Sequence, residues 1–477
     1  MRLRTPKPLV LFGLLALMTG LGCKGKINSQ ALNLKVTVRI SIATDGSPGT
    51  GASVIDRPGI SGDGRFVAFT SRASNLIPNN QDTNNASDVF LRDNVLRTTV
   101  CVSVTPGPAG VPATGASDSP SVSDDGQFVC FASRAPDITA DAVDAPPQKK
   151  HIFVRNMATG VTLLVDRAPA AGAKANQDCF NPQISGNGDY VVFETAADNL
   201  DGSSPGGADD DAFSDIYRRA WRAPGTPTEL ISVSSDFYGP IKGNGNSNNP
   251  SISFDGLRVA FQSSATNLVP TINEFGPDSN GGIDIFLRDT LNVGNATTIR
   301  VSVADTRSIS YPDPTSTGSL SSTFPAISAD GNFVAFTSTS DNLVLEDDSP
   351  ANDIFVRDIV NGTTIIASVH SSGAQAGAGC TFPRLSGDGQ MVVWHSISTN
   401  LIDGDSNGVE DIFLHDRNTG VTERVSVSTF GGQLNGKSLR PNFSRDGRYV
   451  VFYTEATNAS DDDTNGATDF YLRGPPF

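Results

Sequence analysis

Two stretches of the chain carry acidic and amide side chains at alternate positions, a spacing at which oxygen ligands can surround a metal ion. The first stretch reads "DGDSNGVEDIFLHD" from residue 403, and a second stretch from residue 461 repeats its spacing. The candidate ligands are Asp403, Asp405, Asn407 and Asp411 in the first, and Asp461, Asp463, Asn465 and Asp469 in the second. Hard oxygen ligands of this kind suit Ca²⁺. The spacing predicts two Ca²⁺ sites, with ordinary exposed turns as the open alternative, because turns also favour Asp, Asn and Gly.

The first stretch also matches the Gly-x-Ser-x-Gly spacing of a hydrolase nucleophile, with Ser406 at its centre. Such a nucleophile needs a strand-to-helix turn in an α/β sheet, with an acid and a histidine placed around it. The flanking segments are instead short and strand-like, and the chain has no long stretch with helical periodicity. Ser406 is therefore not expected to be catalytic.

Histidine and cysteine usage gives little support to a catalytic metal or a redox site. The four histidines are His151, His370, His395 and His415. They occupy unrelated positions in the sequence, so packed or solvated imidazoles are expected rather than ligands. Beyond the N-terminal segment the cysteines are Cys101, Cys130, Cys179 and Cys380, with no CxxC pair. They are expected to be free thiols, with Cys101 and Cys130 buried in apolar strands.

Internal repetition dominates the rest of the sequence. The tetrapeptide Ser-x-Asp-Gly, or a near copy, recurs at intervals of 58 to 75 residues, starting at Ser61, Ser123, Ser185, Ser253, Ser328, Ser386 and Ser444. Each copy precedes an apolar segment such as "RFVAFTS", a polar loop, and a second segment such as "DIFLRD". A short segment before the tetrapeptide and an alternating one such as "TTIRVSV" complete four predicted strands per unit. The Asp and Gly are expected to form a tight turn, with Asp accepting backbone hydrogen bonds and Gly at positive φ.

Seven units of four antiparallel strands predict an all-β fold, a seven-bladed β-propeller spanning residues 36–477. The units resemble TolB-like propeller repeats, in which a Ser-Pro-Asp-Gly turn and an "EIYVMD" strand occupy the same places. This resemblance supports the architecture but implies no single function. The Asp-rich loops resemble the calcium loops of integrin-type propellers.

Two further expectations concern the contacts between strands. The seventh unit lacks a fourth strand, and "VRISIA" at residues 38–43 copies "IRVSVA" at 299–304. The N-terminal strand is therefore expected to complete the last blade. An arginine recurs near the end of the third strand and is expected to pair with a neighbouring carboxylate; it is found at Arg92, Arg155, Arg219, Arg288, Arg357 and Arg473, with His415 in the sixth unit.

The first residues predict export. Arg2, Arg4 and Lys7 precede an apolar run from Leu9 to Met18 that is too short for a mature membrane span. The end of this segment, "TGLGC", resembles the lipobox of bacterial lipoproteins, in which the Cys is lipidated after cleavage. We therefore expect a signal peptide at 1–22, a lipid on Cys23 and a short tether over 23–35. Lys24 in place of Asp indicates the outer membrane.

Composition restricts the partners. The formal net charge is −16, and no basic cluster remains to bind a phosphate backbone, so nucleic acid is not an expected partner. The favoured function is a non-catalytic envelope lipoprotein that binds or scaffolds an envelope protein or glycan, with the membrane contacted through its lipid. The alternative is a propeller lyase or hydrolase acting on polysaccharide or peptide. Titratable side chains clustered at the mouth of the central channel would favour that alternative.

Overall fold

The computed structural model describes residues 35–477, apart from 79–81, 108–109, 140–147, 169–172, 201–211, 224, 236–240, 270–280, 292–295, 305–320, 346, 348, 462 and 464. These described residues form β-strands, turns and loops, and they contain no α-helix. In this part of the chain, no helix has the length and apolar character needed to cross a bilayer. The predicted signal peptide, Cys23 and most of the tether lie outside the described residues.

The strands all belong to four-stranded antiparallel sheets. In chain order they are β1 (Val36–Arg39), β2 (Gly59–Ile60), β3 (Phe66–Ser71), β4 (Asp88–Asp93), β5 (Thr98–Cys101), β6 (Ser117–Val122), β7 (Phe128–Ser133), β8 (His151–Asn156), β9 (Thr162–Leu164), β10 (Cys179–Ile184), β11 (Val191–Thr195), β12 (Asp215–Arg219), β13 (Glu229–Leu230), β14 (Ser247–Ile252), β15 (Arg258–Ser263), β16 (Asp284–Asp289), β17 (Thr297–Arg300), β18 (Ser322–Ile327), β19 (Phe333–Ser338), β20 (Asp353–Asp358), β21 (Thr363–Ile366), β22 (Cys380–Leu385), β23 (Met391–Ser396), β24 (Asp411–Asp416), β25 (Val421–Arg424), β26 (Ser438–Phe443), β27 (Val450–Thr454) and β28 (Asp469–Gly474).

The seven sheets are the blades of a propeller. Blades 1 to 6 each take four consecutive strands from β2 onward, and blade 7 has the order β26, β27, β28, β1 from the centre outward. The first strand of each blade contacts the first strands of both neighbouring blades, and β26 contacts β2. The ring is therefore closed around a central channel lined by these innermost strands, which confirms the predicted seven-bladed architecture.

The chain ends meet in blade 7, as the sequence predicts. Strand β1 pairs antiparallel with β28, in a register that runs from Val36 opposite Gly474 to Arg39 opposite Tyr471. Beyond the strand, Ser41 donates a hydrogen bond to the Asp469 carboxylate. The N-terminal strand thus covers the outer edge of the sheet and joins the two ends of the chain.

Large apolar side chains fill the spaces between blades. The second and third strands of every blade contribute one aromatic pair, with ring centroids 5.8 to 6.4 Å apart: Phe69 with Phe90, Phe131 with Phe153, Phe193 with Tyr217, Phe261 with Phe286, Phe336 with Phe355, Trp394 with Phe413, and Phe452 with Tyr471. All of these rings are buried. Each sheet packs against the preceding blade on one face and the following blade on the other, so its strands are apolar on both sides. This packing holds the innermost strands in place.

The Ser-x-Asp-Gly turns join the first and second strands and have the predicted chemistry. In blade 2, Asp125 accepts hydrogen bonds from the Ser123 hydroxyl (2.6 Å) and the Gln127 amide (2.9 Å), and Gly126 has φ of 71°. An aromatic ring from the preceding blade covers the glycine, since a Cβ added to Gly126 would lie 2.1 Å from Cδ2 of Phe66. The turn is therefore also a contact between blades.

In blade 1 the recurring arginine contacts hydroxyl and carbonyl groups, where the sequence predicted a carboxylate. In blade 1, Arg92 donates to the Thr99 hydroxyl (3.1 Å) and to the carbonyl of Ala43 (3.3 Å). The equivalent arginines, and His415 in blade 6, bond a threonine hydroxyl in the same way. The neighbouring Asp93 lies on the opposite face of the strand, because side chains alternate along it. The arginine therefore joins the outer strand to the preceding chain segment.

Candidate functional site

The innermost strands of blades 2 to 7 share a backbone irregularity. Each contains a β-bulge at a residue followed by proline, and that residue has φ between 49° and 56°: Ser119, Asn181, Asn249, Phe324, Phe382 and Arg440. Arg57, which precedes Pro58, holds the equivalent place in blade 1. A bulge re-aims its side chain and ends regular pairing. Positive φ at a non-glycine residue costs free energy, and such strain is concentrated at functional sites in proteins.

These seven positions line one cavity in the central channel. Its volume is about 210 Å³, and every blade contributes to its wall. The wall residues are Ile55, Asp56, Arg57, Ser119, Asn181, Asn249, Pro250, Phe324, Pro325, Phe382, Arg384 and Arg440. We call this space the channel cavity. The repeated backbone presents a different set of side chains from each blade, so the cavity is chemically asymmetric although the propeller is nearly symmetric.

Three guanidiniums face the channel cavity, from Arg57, Arg384 and Arg440. Among the described residues, none of the three forms an ion pair with a carboxylate, whereas Arg384 Nη1 donates to the Pro383 carbonyl at 2.6 Å. Removal from bulk water, with a smaller contribution from the charge of Arg440, lowers the pKa of Arg57 to about 10. Burial lowers the pKa of Arg384 strongly, with added repulsion from Arg57 and Arg440. The cavity therefore concentrates positive charge.

The two carboxylates nearest this cluster bind backbone amides. Asp56 Oδ2 accepts a hydrogen bond from the Ser119 amide at 2.8 Å, and Glu194 Oε2 accepts one from the Asn249 amide at 2.6 Å. Burial raises the pKa of Asp56 to about 7 and also raises that of Glu194. Both carboxylates stabilise strained bulges, so they do not neutralise the guanidiniums directly.

Aromatic rings form the other side of the channel cavity. The ring centroids of Phe324 and Phe382 are 3.9 Å apart, and the Arg440 guanidinium lies 3.6 Å from the centroid of Phe382. His395 stacks on Phe382 with a centroid distance of 5.2 Å. Burial and the charges of Arg440 and Arg384 lower the pKa of His395 to about 3. At neutral pH the imidazole is uncharged and adds no further charge to the wall.

The other end of the channel is narrowed by the Ser-x-Asp-Gly turns. Their second residues are joined in a closed ring of backbone hydrogen bonds of 2.8 to 3.0 Å, through Gly62, Asp124, Gly186, Phe254, Ala329, Gly387 and Arg445. Asn187 and Asp446 are the donors in place of Gly186 and Arg445. The side chain of Arg445 pairs with Asp124 at 2.9 Å and lies 4.3 Å from the Phe254 ring centroid. The wider opening is therefore at the opposite end, where the innermost strands begin.

The first Asp-rich loop connects β23 and β24 and packs against a cation from β25. Arg424 Nη1 lies 3.4 Å from Asp405 Oδ1 and 3.5 Å from Asp411 Oδ2. Asn407 Nδ2 donates to Asp411 Oδ2 at 3.0 Å, while the Asp403 side chain is fully exposed. The guanidinium therefore lies between two of the predicted ligands and supplies positive charge to both.

The second Asp-rich loop, before β28, has the same arrangement. Arg39 Nη2 lies 2.7 Å from Asp463 Oδ1 and 3.6 Å from Asp469 Oδ2, and all three side chains are at most 2% exposed. Asp461 is exposed, and Asn465 donates to the Gly49 carbonyl. Here too the predicted ligands fit an arginine counter-ion better than a metal ion.

Two of the predicted ligands also belong to a motif that recurs in other blades. Asp411 accepts from the Ser426 hydroxyl, and Asp469 accepts from the Ser41 hydroxyl, each at 2.5 Å. In other blades a serine hydroxyl donates the same hydrogen bond to the aspartate that begins the third strand. These aspartates are Asp88, Asp215, Asp284 and Asp353. These carboxylates therefore have a structural role that does not depend on the Asp-rich spacing.

Other residues singled out in the sequence have ordinary surroundings. Ser406 donates to Gln433 at the surface, and His151 bonds Asp166 inside blade 2. The four cysteines between 101 and 380 are free thiols; three are buried, and Cys101 is half-buried. Within the described ranges, no three His, Cys, Asp or Glu side chains are arranged to hold a metal ion.

The residues of the channel cavity were missed by sequence reasoning, apart from the general expectation of a polar channel. His395 is a packed histidine, as the sequence predicts, and it stacks on Phe382 of the cavity wall. The available signal was the proline that recurs three residues before each Ser-x-Asp-Gly turn, because it marks the residue that faces the cavity.

Comparison with known proteins supports the fold alone. No protein-family model matches the sequence, and no curated protein matches it. An oligogalacturonate lyase solved in complex with manganese is similar in structure, with a TM-score of 0.51, 12% identity and 94% of each chain covered. The oligogalacturonate lyase of Vibrio parahaemolyticus has a TM-score of 0.50 and 10% identity, covering 92% of this chain and 93% of that chain.

TolB from Acinetobacter baumannii is among the further structural neighbours, with a TM-score of 0.37, 15% identity, and coverage of 82% of this chain and 76% of that chain. The neighbours thus include both TolB and enzymes. At these identities the likeness to the two lyases supports a β-propeller and leaves its function to be argued from the site.

Proposed function

We propose that this chain is a non-catalytic cell-envelope protein whose propeller binds an envelope protein or glycan at the channel cavity. The observation that carries the proposal is a concave polar cavity with walls from all seven blades, on a closed and well-packed ring. Ligand sites are typically concave, largely pre-formed, and lined by apolar surface with a few converging polar groups. Phe324, Phe382 and the three guanidiniums match that description.

Affinity capture from the organism's own envelope tests this function. The bait is the tagged full-length protein, compared with a Phe382→Ala, Arg440→Ala variant and with Arg445→Ala at the narrow end of the channel. Wild type and Arg445→Ala should retain the same partner, and the cavity variant should lose it while keeping its melting temperature. Equal retention by the folded cavity variant would overturn the proposal.

An enzyme acting on envelope or extracellular polysaccharide or peptide is the second candidate. The specific observation in its favour is the titratable cluster at the channel cavity, where Asp56 has its pKa raised to about 7. A carboxyl group with such a pKa suits acid–base work near neutral pH. Turnover of a polysaccharide panel by wild type, with and without manganese, and its loss in Asp56→Asn would favour this candidate over simple binding.

The cellular address is part of the proposal and rests on the N-terminal sequence. A cleaved signal peptide at 1–22, lipid on Cys23 and a tether over 23–35 would attach the propeller to the outer membrane. Several acyl chains anchor a protein firmly because each buried methylene contributes about 0.8 kcal/mol. Cys23→Ala should move the protein from membrane to soluble fractions, and its persistence in the membrane would exclude the lipid as anchor.

Calcium at the two Asp-rich loops stays a prediction of the sequence. The contacts of Arg424 and Arg39 argue against it, because each guanidinium already supplies the positive charge that the carboxylates require. No step of the proposed function depends on a metal ion.

A further inference from the structure

We propose that the channel cavity is an anion-binding site, which takes one carboxylate of its ligand between Arg57, Arg384 and Arg440 and packs the attached ring on Phe324 and Phe382. The inference rests on the proposed binding function and names the chemistry that the cavity would recognise.

The cavity arginines have fewer protein partners than other arginines of this chain. Several arginines elsewhere pair with carboxylates, as Arg39 does with Asp463 at 2.7 Å and Arg258 with Asp289 at 2.8 Å, and the recurring arginines such as Arg92 donate to a threonine hydroxyl and a carbonyl. None of the cavity arginines has a carboxylate partner among the described residues, although the protein carries a net charge of −16. The charges of Asp56 and Glu194 act on Arg57 from nearby, but neither carboxylate is bonded to a guanidinium, which leaves a place for an anion from outside.

The charges of the three cavity guanidiniums also favour an entering anion. Arg57, Arg384 and Arg440 repel one another and are partly removed from water, and their lowered pKa values report that cost. Unpaired charges away from bulk solvent are unfavourable, and an entering anion would relieve both the desolvation and the repulsion. Arginine also binds carboxylates through two parallel hydrogen bonds, which gives orientation as well as affinity.

The size and walls of the cavity limit the ligand that it can take. A volume of about 210 Å³ is small beside the roughly 300–1,000 Å³ typical of ligand pockets, so it suits one ring and its charged substituent rather than a long chain. Phe324 and Phe382, with ring planes inclined at 33°, provide apolar surface beside the guanidiniums. The Arg440 guanidinium lies 3.6 Å from the centroid of Phe382, so it is held over that ring before a ligand arrives.

Titration of benzoate into the purified full-length protein at low salt tests the site. Benzamide is the uncharged probe of similar shape, and inorganic phosphate is the anion without a ring. Benzoate should bind saturably at a one-to-one ratio and more tightly than either probe. Absence of saturable benzoate binding, equal binding of benzamide, or tighter binding of phosphate would each overturn the assignment.

Matched variants locate the binding. Arg384→Gln and Arg440→Gln should each weaken benzoate binding about tenfold or more, because each removes a charge-assisted hydrogen bond. Arg445→Gln, an arginine at the narrow end of the channel that is paired with Asp124, should leave it unchanged. Equal affinity in all three would show that benzoate binds elsewhere. Loss of the cavity charges should not lower the melting temperature, since they repel one another.

The pH dependence offers a second readout. Asp56 faces Asp118 of blade 2, the neighbouring Arg57 and Arg440 of blade 7, and its pKa is about 7. As the pH falls through 7, Asp56 takes up a proton and the cavity becomes more positive, so benzoate should bind more tightly. Asp56→Asn should flatten this dependence. If the benzoate affinity of that variant varies with pH as in the wild type, protonation of Asp56 is not the cause.

The two proposals can fail separately. If benzoate binds through the arginines but the cavity variant still captures the envelope partner, the anion site stands and the proposed binding function fails. If capture is lost in the Phe382→Ala, Arg440→Ala variant but benzoate does not bind to wild type, the binding function stands and the carboxylate assignment fails.

Discussion

At the scale of single residues, the position before the proline of each innermost strand has a special role. Its backbone conformation is repeated in blades 2 to 7, but its side chain changes among serine, asparagine, phenylalanine and arginine. The scaffold therefore fixes where six side chains point, and the sequence determines what each one contributes. A site of this design can change its ligand by single substitutions without altering the blade.

Arg424 provides a prediction about the Asp-rich loops. Arg424→Gln would leave the buried Asp405 and Asp411 without a cation, so the free energy of unfolding should fall by roughly 3 kcal/mol. Denaturant titration measures this, with the exposed Arg72→Gln as a control that should have little effect. Millimolar calcium or a chelator should leave the wild-type melting temperature unchanged. A calcium-dependent rise that disappears in Asp405→Ala would contradict the arginine account and support the metal.

The residue-scale predictions that held were local in sequence. The Asp and Gly of each turn could be interpreted from four adjacent residues because their partners are also in the turn. The partners of the recurring arginine could not, because Thr99 is on β5 and the Ala43 carbonyl is in the segment after β1, both away from Arg92 in the sequence. The cavity cluster was missed for the same reason: its members come from seven units and share no residue type.

At the scale of elements, the Ser-x-Asp-Gly turns also pack against neighbouring blades. The second strand of one blade begins with a side chain that covers the turn glycine of the next, as Phe66 covers Gly126. Each turn has its own hydrogen bonds and also contacts a side chain of the neighbouring blade. A substitution in one blade can therefore change the packing of the next. This explains why the repeat keeps glycine even where the following residues vary.

Gly126→Ala tests this contact between blades. Gly126 and Gly420 both have φ of 71°, but an added Cβ would lie 2.1 Å from the Phe66 ring in the first case and would meet nothing within 4 Å in the second. Both substitutions should incur the cost of positive φ, and Gly126→Ala should cost about 1–3 kcal/mol more because of overpacking. Equal destabilisation of the two variants, measured by denaturant unfolding, would show that the contact between blades contributes little.

At the scale of the whole molecule, closure depends on a strand from the other end of the chain. Architecture was predictable because seven copies of one pattern repeat at nearly regular spacing, and the missing fourth strand of the last unit had a visible copy at the N-terminus. The position of a binding site was less predictable, because it arises only when the ring brings distant residues together.

Removal of residues 36–44 tests the closure. The deletion exposes the edge of β28 and removes Arg39, which leaves Asp463 and Asp469 without their cation. The melting temperature should fall by many degrees. Removal of residues 24–32, which keeps β1, is the control and should leave it unchanged. A similar melt in both deletions would mean that β1 is not needed to close the ring.

The most direct measurement of the central claim is site-specific photo-crosslinking in intact cells. A photoreactive amino acid is placed at Phe382, in the channel cavity, and at Val360, an exposed residue in the hairpin between β20 and β21. If the channel cavity is the binding site, mass spectrometry should detect a specific envelope adduct from position 382 and none from position 360. Adducts from 360 without any from 382, in proteins of equal stability, would contradict the account.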